Sequence, residues 1–230
     1  MGVSGRQSWL PGGPGGVHEL SAGFESRADL IGRVGLYRTE QREQRSTVRE
    51  DRATVTGSGA YLELDSRWMR WLRTSVGVRG DAHTFDVESD RPENSGREVA
   101  GIVSPKGSLI ISPLRGAEIY LSGGYGFHSN DARGTTISID PASGEAAEPV
   151  DSLVRSRGSE LGVRASAVDG LRTTLSLWTL DLDSELVFVG DAGATEPATS
   201  SHRRGSRSRT STGLTRPCRS MPTSRWPARG

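Results

Sequence analysis

The sequence is poor in cysteine, lysine, aromatic residues and long apolar runs. A single cysteine, Cys218, excludes a disulfide framework and any Cys pair at metal-ligand spacing. Of the 29 basic residues only Lys106 is lysine, a skew that points to a GC-rich coding sequence more than to a selected surface. No stretch approaches the roughly 18 consecutive apolar residues of a transmembrane helix. The opening MGVSGRQSWLPGGPGG has no apolar core, so a signal peptide is not expected there. There is no P-loop, no G-x-S-x-G and no H-E-x-x-H. No catalytic residue, cofactor-binding residue, cofactor or metal site is therefore expected, and an enzyme is not. Gly12-Gly13-Pro14-Gly15-Gly16 contains proline and opens no helix, so it reads as linker and not as a phosphate cradle.

Glycine, by contrast, is plentiful, with 30 residues among 230. The near-zero net charge hides an asymmetry. Pro197 to Gly230 carries eight arginines and no acid, leaving 21 basic and 28 acidic groups in residues 1–196. The tail is thus +8 and the body −7.

Helix periodicity is missing between Val17 and Val189, and period-2 alternation recurs in runs of about ten to fifteen residues. Ile119, Leu121, Tyr125 and Phe127 alternate with Glu118, Tyr120, Ser122 and His128. Trp178, Leu180, Leu182, Leu186 and Phe188 interleave with Thr179, Asp181, Asp183 and Glu185. The runs predict antiparallel strands, paired in sequence order, near 17–27, 32–44, 50–66, 72–88, 97–112, 117–128, 154–168 and 171–189. Asp169-Gly170 is a two-residue hairpin signal, and Pro113–Gly116 and Ala28–Ile31 also read as tight turns. The opposite connections, near 129–153, 89–96 and 190–205, are longer and more polar. Short turns at one end and long loops at the other suit an outer-membrane up-and-down barrel. A soluble sandwich also alternates, but its strands average about five to six residues. In the barrel reading Trp68 and Trp71 lie in an aromatic girdle; otherwise they are apolar caps on a hairpin.

The segment SPKGSLIISPLRGAEIYLSGGYGFHSNDARG (Ser104–Gly134) resembles the C-terminal barrel of TonB-dependent outer-membrane receptors through Pro105, Lys106, Gly126, Phe127, Ser129, Asn130, Asp131 and Arg133. Gly59–Val87 and Val154–Gly193 are similar to hairpins of the same receptors. The resemblance implies an all-β fold, an antiparallel up-and-down meander forming a partial transmembrane β-barrel of about eight or nine strands, against about 22 in a whole receptor. It implies a cell outer membrane location and energised uptake of a scarce solute such as an iron-siderophore chelate. The implied partners are outer-membrane lipid, a plug domain, the TonB energy-coupling protein and a small-molecule or metal-chelate ligand. The plug and energy-coupling box have no counterpart in this sequence, so a fragment that does not transport alone is expected. The rival reading is a soluble β-sandwich binding module with a basic disordered tail.

Under the barrel reading, Glu118, Asp181, Asp183 and Glu185 face a polar lumen, where they serve as solvated lining or as a cation contact. The partners of that lumen face, Ile119, Leu121, Tyr125, Phe127, Trp178, Leu180, Leu182 and Phe188, then face lipid. His128, Asn130 and Asp131 are candidate ligand-facing residues, although Asn and Asp are turn formers first. Three segments are expected: 1–16 disordered, 17–205 barrel, 206–230 a disordered tail. The tail has a nucleic-acid reading, a linker reading and an out-of-frame reading. The last is preferred, and no nucleic-acid partner is expected. Back-translated and read one base earlier, Ser206–Arg229 can give VEVEDVYWADPPLPLDADVALARA, which restores alternation. An out-of-frame tail is expected to form no strand beside 171–189.

Overall fold

The computed structural model describes residues 1–13, 16–168, 170–189, 194–198 and 200–212. Its strands are β1 (Gly2–Trp9), β2 (Gly12–Gly13), β3 (Gly16–Glu40), β4 (Glu43–Met69), β5 (Leu72–Ser89), β6 (Gly96–Leu114), β7 (Ala117–Ser129), β8 (Leu153–Val168), β9 (Leu171–Leu182), β10 (Glu185–Val189), β11 (Ala194–Ala198) and β12 (Ser201–Thr212). Nine of them form one antiparallel meander in the order β1-β3-β4-β5-β6-β7-β8-β9-β12, with β2 paired to β3; β10 and β11 form a separate hairpin. Among the described residues β1 and β12 are the free edges, so the sheet is open. A 3-10 turn at Pro92–Asn94 and a one-turn helix, α1 (Ala132–Thr135), lie in the long connections. No described helix is long and apolar enough to cross a membrane.

Four of the eight expected strands appear with shifts of one or two residues at their ends: 72–88, 97–112, 117–128 and 154–168; the expected 50–66 lies inside the longer β4. Four expectations need correction. Ala28–Ile31 is not a turn, because β3 runs through it with Leu30 opposite Thr54 and Ile31 opposite Ala53. The turn lies at Gln41-Arg42, whose φ values of 52° and 71° are the left-handed pair that a two-residue hairpin requires. Neither residue is the usual Gly or Asn, so the turn carried no signal. Residues 171–189 are not one strand, since the chain bends at Asp183 before β10.

The third correction is at the N-terminus, where Gly2–Trp9 pairs with Leu20–Arg27 instead of being disordered. The fourth is at the tail, where Ser206–Thr212 continues β12 opposite Leu171–Leu177. Antiparallel pairing is made by backbone N–H and C=O groups, so polar side chains do not prevent it. Residues 213–230 lie outside the described ones.

Register divides the sheet into two faces. One carries Leu20, Leu62, Val76, Val78, Leu109, Ile119, Leu121, Leu161, Val163, Leu175 and Leu177, all more than a third exposed. The other is polar along its lower half and bears ion pairs between strands two apart: Arg79 of β5 to Glu25 of β3, and Arg73 of β5 to Glu118 of β7. Such reach belongs to the concave side of a curved sheet. Trp68 and Trp71 stand at the short-turn end, each half exposed, with the Trp68 Nε1–H donating to Thr74 at 2.9 Å and its ring 5.1 Å from that of His18. That position fits an interfacial aromatic belt.

Near the long loops the concave face turns apolar. Phe85 and Val87 are fully buried with Ala53 against Ala132 of α1, and Val55 and Leu153 pack around them. Burial of the Phe85 and Val87 side chains contributes about 1.5–3 kcal/mol each.

Candidate functional site

Three charged clusters line the lower concave face. Glu118 accepts from Arg73 and from Arg164, the latter at 2.9 Å, and the Arg164 guanidinium lies 5.5 Å from the Tyr120 ring centre. The Tyr120 hydroxyl donates to Glu160 at 2.7 Å. Gly162 lies under the Tyr120 ring, and a Cβ there would collide with it. In the second cluster Arg79 reaches Asp81 at 2.7 Å and Glu25 at 2.5 Å. The third is Lys106 with Glu63. The apolar stems of these side chains cover the sheet while their heads stay wet, an arrangement suited to a water-filled lumen.

The loop end is closed by polar side chains on backbone. Asn94, fully buried, donates from Nδ2 to the Ile139 carbonyl at 2.9 Å, and its Oδ1 accepts from the Ile139 N–H at 2.9 Å and the Ser138 N–H at 3.0 Å. Asn130 donates to the Asp151 carbonyl at 2.7 Å, pinning the base of the loop between β7 and β8. Asp131 caps α1, accepting from the Arg133 N–H at 3.0 Å and pairing with its guanidinium at 2.6 Å. Burial pushes the Asp131 carboxyl up, but its bonds from Arg133 outweigh that and hold it below the usual carboxylate range. Asp51 on β4 pairs with Arg49, which also donates to the Arg133 carbonyl at 3.2 Å.

The expected site residues do not converge. Glu118 is on the concave face, and His128 pairs with Val154 at the loop end of β7. Asn130 and Asp131 line a cavity of about 320 Å³ with Asp29, Ile31, Val34 and Asp51. The assignment of Asp181 needs correction. It shares the row of Arg157, on the face of Leu161 and Leu177, whereas Trp178, Leu180 and Leu182 fall opposite Glu160, Gly158 and Ser156 on the concave side. The cause lies in β9, which has leucines in both phases, so alternation alone does not choose between them; pairing with β8, which carries a register shift between Ala165 and Val168, does. Asp181 is flanked by Arg157 at 3.0 Å and by His202 of β12. Asp183 lies at the bend after β9, its N–H donating to the Arg155 carbonyl at 3.0 Å. The side chains of Glu185 and Phe188 lie outside the described ones. Phe127, expected toward lipid, packs edge-on against His83 at 5.6 Å, above the point where β7 parts from β6 at Gly124.

Sequence reading missed Asp51 and Asn94. A signal existed for Asp51, a lone carboxylate in phase with Ala53 and Val55; none marks Asn94 within a short polar turn.

An antiparallel meander with an apolar convex face, a charged concave face and loops gathered at one end is the wall of an outer-membrane-type β-barrel. The family described as TonB dependent receptor-like, beta-barrel matches residues 4–214, and the chain belongs to it. Solved structures share the fold. The ferric-catecholate import receptor Fiu from E. coli K12 superposes with a TM-score of 0.69 at 11% identity, over 94% of this chain and 35% of that one. The copper transporter OprC gives 0.67 at 13% identity, over 93% and 35%. The alcaligin outer membrane receptor FauA from Bordetella pertussis gives 0.64 at 16%, over 93% and 36%. This chain thus spans about a third of the length of these receptors. No curated protein matches it.

Proposed function

We propose that the chain is wall from a TonB-dependent receptor of the cell outer membrane, acting with a plug domain and TonB in energised uptake of a scarce solute such as an iron-siderophore chelate. The observation that carries this reading is the two-faced nine-strand meander within a family match over residues 4–214. A ferric-catecholate import receptor and a copper transporter among the structural neighbours support the solute class. On this reading the fragment alone moves nothing, because an unclosed wall encloses no path. The test is uptake of radiolabelled ferric chelates by an uptake-deficient bacterium. The complete parent gene should restore TonB-dependent accumulation, and the 230-residue chain should not. Accumulation with the fragment alone, or no accumulation of any chelate with the parent, would refute it.

A second element of the reading concerns the tail. Ser206 and Ser208 stand opposite Leu177 and Leu175, on the apolar face. The shifted frame described above places Val at both positions and Glu at the intervening concave ones. We infer that residues from about Ser206 onward are an out-of-frame translation of the strand that belongs there.

A further inference from the structure

The wall parts between β6 and β7. β5 stays paired with β6 as far as Gly96, but the β6–β7 ladder ends at Lys106 opposite Gly124, although β7 runs on to Ser129 and stays paired with β8. The Ser112 N–H donates to the Trp71 carbonyl on the β5 side, so odd-numbered residues of β6 direct their backbone groups toward β7. Those of Val99, Gly101 and Val103 have no strand beside them among the described residues. An inner edge of this kind is costly, because a wall in lipid leaves no backbone donor or acceptor unmatched.

The break is written in the sequence. Pro105 stands at the first unpaired rung, where it lacks the N–H that Tyr125 would accept. Gly124 and Gly158 share the row at which the strands separate, and a Cβ on Gly124 would stand 2.8 Å from that of Lys106. Beyond that row Phe127, in phase with Ile119 and Leu121, lies edge-on to His83 at 5.6 Å, and Arg155 of β8 donates to the Val103 carbonyl at 2.9 Å. Ser104 and Lys106 on one side and Tyr125, Gly126 and Phe127 on the other line a cavity of about 550 Å³. Carrying the existing register upward would set Val103 opposite Phe127 and Gly101 opposite Ser129. That adds two hydrogen-bonded pairs and returns Phe127 to the face of Ile119 and Leu121.

We propose that residues 125–129 of β7 are a strap with two seats. In the parted seat Phe127 rests on His83; in the zipped seat the strap pairs with residues 101–105 of β6. Exchange between them opens and closes the cavity and moves the base of the long loop that Asn130 pins. The device is a property of the sheet and does not depend on the solute.

The test is disulfide trapping in the full chain, with Cys218 replaced by serine, refolded in zwitterionic detergent micelles and its β-structure verified by circular dichroism. Ile102→Cys and His128→Cys face each other in the zipped seat as a non-hydrogen-bonded pair, with Cα atoms about 4.5 Å apart and within disulfide reach. Ser108→Cys with Ser122→Cys, opposite each other in the existing ladder, is the reference. The 102–128 pair should oxidise fully but more slowly than the reference. Pro105→Val, which restores the missing donor, should speed it about fivefold, the worth of one backbone hydrogen bond, and leave the reference unchanged. Phe127→Ala, which removes the hold on His83, is the second variant and should also speed it. No cross-link at 102–128 while the reference forms, a rate equal to the reference, or a rate unchanged by both variants would overturn the proposal.

Discussion

Asn94 and Ile139 exchange two hydrogen bonds, Nδ2 to the carbonyl and N–H to Oδ1, both at 2.9 Å and across 45 residues of sequence. One buried side chain thereby ties the β5–β6 turn to the β7–β8 loop. Replacing it leaves the Ile139 and Ser138 amides and the Ile139 carbonyl without partners.

Asn94→Ala should accordingly destabilise the loop by about 2–4 kcal/mol, the sum of a few buried unsatisfied groups. Amide exchange at Ser138 and Ile139 should accelerate, with the rows at Leu121 and Leu161 unchanged. Protection equal to wild type at 138 and 139 would contradict this role.

Face assignment gives a second prediction. In the complete parent barrel Leu177→Arg should cost about 2–4 kcal/mol, the penalty of a lipid-facing arginine near mid-membrane. Leu180→Arg, on the concave side, should cost far less. Chemical denaturation in lipid vesicles measures both, and the reverse order would mean that β9 pairs one residue out of register.

That order is the opposite of what alternation in β9 alone suggests, and it marks how far the sequence could be read. The strand sequence, the short and long connections and the place of Glu118 opposite Ile119 and Leu121 were all visible as pattern. In β5 even the change of environment is written in the residues, from Val76 and Val78 in one phase to Phe85 and Val87 in the other. Hidden from the sequence were features set by pairing: the phase of β9, the Gln41-Arg42 turn and the closure of the loop by Asn94. The cavity beside Asp51 depends on residues 29–34, 51–55 and 129–133 meeting, which no local pattern reports.

The loop should also loosen in acid. Asp140 accepts from the Ser143 N–H at 2.7 Å and the Ala142 N–H at 2.9 Å, and these bonds, chiefly from Ser143, hold its carboxyl below the usual range against burial. Asp131 is depressed likewise, so folding favours both charged forms. Their contribution is present above the ordinary carboxylate value, about 3.9, and is lost as pH falls through the depressed values. Amide protection across 131–147, corrected for intrinsic rates, should fall below about pH 4. It should fall less steeply in Asp140→Asn. Protection flat down to pH 2 would refute the linkage.

In buffer without detergent the chain should aggregate. Val76, Leu121, Leu161, Leu175 and Leu177 are each about half exposed on one face, and among the described residues both sheet edges are free. A monodisperse, cooperatively unfolding monomer by light scattering would contradict this and favour a soluble sandwich.

Resequencing the locus addresses the tail. A single-base insertion or deletion near the codons for His202–Ser206 is expected, with coding in the other frame giving apolar residues at the positions of Ser206 and Ser208. Relatives carrying the same Arg/Ser stretch in frame would refute the out-of-frame inference.

The central claim, that one face of this sheet meets lipid and the other a watery lumen, is tested most directly by site-directed spin labelling of the complete parent in outer-membrane vesicles. With Cys218 replaced by serine wherever it is encoded, single cysteines at Leu121, Leu161 and Leu177 are compared with cysteines at Glu118, Glu160 and Trp178. The first set should relax with dissolved oxygen and the second with a water-soluble nickel chelate. Equal accessibility of the two sets to both relaxants, or oxygen preference at Glu118 and Trp178, would contradict the account.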